Sequence, residues 1–93
     1  MTIGLLTVSI EIPGSSSLKD KRQVLRSLLD AIRVRYNVSA AELGRQDSRK
    51  YAEIGVASLS NDRAFVNKLL ERVRARIESN PLLVVLDYSI EFL

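Results

Sequence analysis

The sequence predicts an α+β fold: a ferredoxin-like βαββαβ sandwich whose four-stranded antiparallel sheet, in the order 4-1-3-2, carries two helices on one face. Two observations lead there. Apolar residues recur with period two in four segments and with helical period in two others, in the order strand, helix, strand, strand, helix, strand. The two middle strands are joined by a short polar turn. Right-handed crossovers through the helices then leave this sandwich as the economical arrangement. The 93 residues, 46% of them apolar, suffice for one domain spanning 1–93 with a single core.

In Thr2 to Ile12, Leu6, Val8, Ile10 and Ile12 fall on one face and Thr7, Ser9 and Glu11 on the other, the alternation of a strand buried on one side. Pro13-Gly14-Ser15-Ser16 is a loop. Ser17 reads as a helix N-cap, and Asp20, three residues on, can take a free N–H and complements the helix dipole. A Gly-Ser-Ser-Ser run ahead of a helix can also hold an anion, but no phosphate-binding lysine pattern follows, so capping is the expected role. Leu18, Leu25, Leu28, Leu29, Ile32 and Tyr36 form the apolar stripe of this first helix, which should end near Arg35 or Tyr36 with Asn37 close to its C-cap.

Val38 to Leu43 reads as the second strand, Gly44 to Lys50 as a polar turn, and Tyr51 to Leu59 as the third strand, burying Ala52, Ile54 and Val56. Ser60-Asn61-Asp62 offers caps for a second helix with a stripe of Val66, Leu69, Leu70, Val73 and Ile77. Asn80-Pro81 stops it, because proline cannot continue the helix. Leu82 to Leu93 reads as the last strand, with Leu82, Val84, Leu86, Tyr88, Ile90 and Phe92 on one face.

Composition narrows the chemistry. There is no Cys and no His, which removes disulfides, thiolate chemistry and the commonest neutral-pH general base and metal ligand. Catalysis would fall to carboxylates, Lys, Ser or Tyr. Glu42, Asp47 and Glu53 are the acids that could converge on a divalent cation, yet they lack a metal-binding spacing and read as solvated strand and turn acids. No catalytic residue, metal site or cofactor is expected. The N-terminus lacks a signal-peptide pattern and no window is apolar enough to span a membrane, so a cytoplasmic chain with no membrane partner is expected.

Charge is more informative by position than by sum. The net charge is +3, from 14 basic and 11 acidic residues, and ten of the basic ones are Arg. Every basic residue lies outside the four expected strands, which carry only Glu11, Glu42, Glu53, Asp87 and Glu91. On the first helix Lys19, Arg22, Arg26 and Arg33 fall within about 60° at 100° per residue, with Asp30 in the same arc. The turn adds Arg45, Arg49 and Lys50. On the second helix Lys68, Arg72 and Arg76 recur at i, i+4, i+8. These ten are the candidate nucleic-acid-binding residues. The bland alternative is a pair of solvated helix faces whose long stems cover apolar surface. Lys21 stands apart: it sits beside the apolar stripe in the first turn, where the dipole disfavours a cation. Its stem is expected to lie along that surface with the ammonium reaching water, placement for a ligand being the other reading.

An RNA-reading sheet of this topology stacks bases on aromatics of its central strands. Here the open face would show Thr7, Ser9, Glu53, Gly55 and Ala57, with Tyr51 at one end. Nucleic acid is therefore expected at the helices or the hairpin turn. Leu5, Leu59, Leu83 and Val85 are expected on the open face as a partner or homodimer surface. The last strand, an edge without Lys or Pro, suits pairing or cover.

The segments P-x-x-x-SLKDKR from Pro13, YNVSAAE from Tyr36, and the turn Gly44 to Asp47, followed by Ile54-Gly55 and by SNDR at Ser60, resemble the YlxP-like family of small bacterial proteins, a domain-of-unknown-function family, number 503. The resemblance covers nearly the whole chain and implies a ferredoxin-like fold. It also implies a setting: genes of such proteins commonly lie near those for translation initiation and ribosome maturation, close to ribosome-binding factor A. Many relatives carry Trp-Gln after the hairpin Asp, where this chain has Arg49-Lys50 after Asp47-Ser48. The expected function is a non-enzymatic module binding ribosomal RNA, a ribosomal subunit or other structured RNA. A protein-interaction or homodimer module using the open sheet face, and a small-metabolite-binding regulator, are the alternatives.

Overall fold

A computed structural model describes residues 1–93 and shows a ferredoxin-like α+β sandwich. In order along the chain come β1 (Thr2–Glu11), α1 (Leu18–Arg35), β2 (Ser39–Gly44), β3 (Tyr51–Ser60), α2 (Arg63–Glu78) and β4 (Val84–Phe92). The sheet order is β2-β3-β1-β4, all neighbours antiparallel, which is the expected 4-1-3-2 read from the other edge. No helix is long and apolar enough to cross a membrane.

The core follows the periodicities. Leu6, Val8, Ile10 and Ile12 of the central strand meet Ala52, Ile54 and Val56 of β3, with Val66, Leu70, Val73 and Ile77 of α2 and Leu25, Leu28, Leu29 and Ile32 of α1 above them. Each of the Val, Leu and Ile side chains contributes about 1.5–3 kcal/mol by leaving water. Tight contact between α2 and β1 depends on Gly4. A Cβ there would stand 2.9 Å from Leu70 Cδ1 and closer still to Val66 Cγ1.

The helices start where capping chemistry predicts. Ser17 Oγ accepts a hydrogen bond from the Asp20 N–H at 3.0 Å, and Asp62 Oδ1 accepts from the Phe65 N–H at 3.2 Å. Such caps satisfy backbone donors that have no partner within the helix. The Asp20 carboxylate in turn accepts from the N–H of Ser16 at 3.2 Å and from its hydroxyl at 3.0 Å. These bonds, the backbone one first, hold the Asp20 pKa below its ordinary value. Helix α1 ends because Tyr36 is extended, with φ −124° and ψ 144°; Tyr36 is the C-cap and Asn37 follows it directly, as expected.

Strand β4 departs from expectation. Its pairing with β1 shifts between Ser9↔Asp87 and Ile10↔Val85, leaving Leu86 as an extra residue. A bulge of this kind inverts the facing of everything before it. Tyr88, Ile90 and Phe92 point to the helix side as expected. Val84, however, lies opposite Glu11 on the open face, and Val85 lies opposite Ile10 and packs against the core. Leu82 and Leu83 precede the strand in a turn closed by Asn80, whose Oδ1 accepts from the Leu82 N–H at 2.9 Å. That turn buries Leu83 to 6% exposure and leaves Leu82 at 59%.

Candidate functional site

The loop between β2 and β3 is fastened to the start of α1, and Lys21 is the fastener. Its ammonium donates to the carbonyls of Arg45 at 2.6 Å and Ser48 at 2.7 Å and stands 3.1 Å from Glu42 Oε2. The side chain is only 2% exposed. The expectation that it reaches water is therefore overturned. The fold of the hairpin over the first helical turn replaces solvent with two carbonyls and a carboxylate, and these also answer the unfavourable helix dipole. Glu42, expected as a solvated acid, is the counter-ion. Its Oε2 is buried with no aligned hydrogen-bond donor, so the contact with Lys21 is chiefly one of charge.

Other bonds stitch the same junction. Ser15, buried at 3%, donates from its hydroxyl to the carbonyl of Arg49 at 2.6 Å, with Ser17 O at 3.1 Å. The Ile12 N–H donates to Lys50 O at 2.7 Å, and Lys50 Nζ to Pro13 O at 3.1 Å. Arg45 is held at φ 64° in the left-handed region, and its guanidinium lies over the Tyr51 ring at 4.9 Å. The serines that precede α1 are thus engaged within the chain.

The ten basic candidates divide into two groups. Lys19, Arg22 and Arg26 line an open hollow of about 240 Å³ together with Gln23. The fastened loop places Arg45, Arg49 and Lys50 at the same end of the molecule, beside the first turn of α1. Arg72 and Arg76 lie elsewhere, sharing a hollow of about 510 Å³ with Arg35, Tyr36 and Ala75. Lys68 stands one turn before Arg72 and is exposed. Arg22 and Arg35 are thirteen residues apart on one helix, about 20 Å along its axis. Arg35 is not among the candidates that helical periodicity marks, because it lies off the arc of the other α1 cations. Only the packing of α1 against α2 brings it to Arg72 and Arg76.

Arg33 belongs to neither group. It donates to the carbonyl of Ala40 on β2 and lies 3.5 Å from Asp30. Arg74 is held by Glu71 at 2.8 Å and Glu78 at 2.6 Å, over the Tyr88 ring at 4.7 Å. Glu71 first and then Glu78 raise its pKa above the ordinary arginine value. Among the basic side chains, only Lys21, Arg33 and Arg74 have an acidic partner at ion-pair distance. The other cations have no acid at that distance, nine of the ten candidates among them.

The open sheet face has the opposite character. By register it shows Glu11, Ser9, Thr7 and Leu5 of β1 beside Tyr51, Glu53, Gly55 and Ala57 of β3, and Asp87, Ser89 and Glu91 of β4. Leu5 and Leu59 stand there as expected, Leu59 at 65% exposure. Leu83 and Val85 do not, since the turn and bulge before β4 send both inward. Val84 takes their place. Leu43, bulged out of β2, lies over Gly55, where no other residue leaves room for it. No group of three or more acids gathers: Glu42 faces Lys21, while Glu53 is on the other side of the sheet.

Comparison with known proteins adds a family and no activity. The family model described as "Protein of unknown function (DUF503)" matches residues 3–90. The chain is similar to "Uncharacterized protein YlxP" of Bacillus subtilis (strain 168), 38% identical over 79 residues, which are 85% of this chain and 86% of that one.

Proposed function

The chain belongs to the DUF503 family, and from that premise we propose that it is a non-enzymatic module that binds structured RNA, with ribosomal RNA as the leading candidate, through the phosphate backbone. One observation carries the reading. Lys19, Arg22 and Arg26 stand without acidic partners at the end of the molecule where the Lys21-fastened loop holds Arg45, Arg49 and Lys50. A loop fixed before binding loses less entropy when its cations are engaged. The second group, Arg35, Arg72 and Arg76, lies about 20 Å away along α1. Charge set out over that distance suits phosphates spread along a folded RNA better than a single mononucleotide. Contacts of this type position a protein without reading sequence. The open face supports the same reading by exclusion, because its acids repel phosphates and Arg45 covers its Tyr51.

The test is retention of a structured ribosomal RNA fragment by the pure protein at about 50 mM and about 200 mM salt. Binding at micromolar protein that falls steeply with salt is expected. Replacing Arg22, Arg26, Arg49 and Lys50 together by Ala should weaken binding and flatten the salt slope by about the number of phosphates released. Absence of salt-sensitive binding at micromolar protein overturns the proposal.

A further inference from the structure

The two edges of the sheet are not alike. At β2, six residues long, Arg33 reaches over from α1 to bond the Ala40 carbonyl. β4 is nine residues long, VVLDYSIEF, with no Lys, Arg, Pro or Gly, and no neighbouring element bonds its outer side. Its outward groups follow from one bond. The Leu93 N–H donates to Ile3 O at 2.8 Å, so Leu93, and every second residue before it as far as Asp87, turns its backbone toward β1. Tyr88, Ile90 and Phe92 therefore turn both N–H and C=O outward. The Tyr88 N–H has only the carboxylate of the adjacent Asp87, at 2.9 Å.

We propose that two copies of this chain pair along β4, antiparallel about a two-fold axis at Ile90, so that one sheet runs through both. A symmetric pairing must match outward residues with outward residues, and four registers come into question. Centred on Glu91, it sets Glu91 against Glu91 of the second copy, two like charges. Centred on Ser89, it sets Asp87 against Glu91 of the second copy, twice, and like charges directly opposed are destabilising. Centred on Tyr88, it runs into the Leu86 bulge. Centred on Ile90, it places Ile90 opposite Ile90, Tyr88 opposite Phe92 and Ser89 opposite Glu91, with no acid facing an acid. Every outward group of the three residues is then used, in about six hydrogen bonds. The Tyr88 N–H exchanges its own neighbour's carboxylate for a backbone carbonyl.

The helix side fits the same register. Arg74 lies over Tyr88 and Arg63 over Phe92, the latter at 4.2 Å. In the Ile90-centred pair, the two capped rings stand side by side across the boundary. Aromatic cross-strand pairs are among the stabilising ones. The β4 edges of Tyr88 and Ile90 would leave water, and the α2 helices of both copies would lie over one continuous sheet. This inference stands apart from RNA binding and survives if that fails.

Sedimentation of the wild-type chain from about 1 to 100 μM should show a reversible monomer–dimer equilibrium. The register is read by charge at Ser89, which is exposed on the open face and accepts either sign without disturbing the core. Ser89→Lys, set against Glu91 of the second copy, should tighten the dimer by about three- to ten-fold, and Ser89→Glu should loosen it by a similar factor. In the Ser89-centred register, both substitutions would loosen it. The chain has no Cys, so Ile90→Cys gives a single thiol. Opposed hydrogen-bonded residues stand about 5.5 Å apart at Cα, within disulfide reach, and this variant should oxidise to a covalent dimer. A monomer throughout the range, a dimer indifferent to the charge at Ser89, or an Ile90→Cys variant that does not cross-link overturns the proposal.

Discussion

The ammonium of Lys21, in the first turn of α1, stands 3.1 Å from Glu42 Oε2 on β2 and is almost wholly enclosed. One side chain thereby joins the first helix, the second strand and the loop that follows it. Its removal would leave two carbonyls without their donor and a half-buried carboxylate without its counter-charge. Lys21→Met should destabilise the chain by about 3–5 kcal/mol, the range for breaking a buried pair by deleting one partner. The double variant Lys21→Met with Glu42→Gln should recover part of that loss, because no lone charge remains. Urea unfolding of the two variants measures both. Equal losses would mean that the carbonyl bonds, and not the pair, carry the cost.

Gly4 lies beneath α2 with no room for a side chain. Gly4→Ala adds one methyl group against Val66 and Leu70, both fully buried. Overpacking of this kind costs about 1–3 kcal/mol. Gly14, whose added Cβ would meet nothing within 4 Å, is the control. Gly14→Ala should change the unfolding midpoint far less.

Arg33 and Arg26 share a helix arc but not a role. Arg33→Ala loses the bond to the Ala40 carbonyl and should cost about 0.5–1.5 kcal/mol of stability. Arg26→Ala loses no such bond and should leave the urea midpoint unchanged. In RNA retention the order should reverse: Arg26→Ala is expected to weaken binding and Arg33→Ala to have the smaller effect.

Asp20 couples the start of α1 to pH. Its pKa is depressed below 3.8, first by the Ser16 N–H and then by the Ser16 hydroxyl. A depressed pKa means that its ionised form stabilises the fold above the unfolded value, and that this stabilisation is lost as pH falls through the lower folded value. Asp20→Asn should therefore lie below wild type in unfolding midpoint near neutral pH and converge with it below the folded value. A gap that persists at low pH would assign the effect to side-chain shape and not to charge.

Much of this molecule is legible from residue order. The alternation of Leu6, Val8, Ile10 and Ile12, the cap at Ser17 and the stop at Asn80-Pro81 are local signals. Period, capping and proline geometry act over a few residues and need no partner to be read. The placement of all basic residues outside the strands is likewise visible in the chain. It already argued against the sheet face as a phosphate-binding surface.

The rest depended on contacts between distant residues. Lys21 reads as a surface lysine until the loop 24 to 27 residues later supplies its carbonyls. Leu83 and Val85 read as face residues until one unpaired residue, Leu86, inverts the parity ahead of it. Arg35 reads as an isolated cation until α2 brings Arg72 and Arg76 beside it. Periodicity reports which face of an element is apolar. It carries no information about register, bulges or which charge another element will neutralise, because those energies arise only when the elements pack.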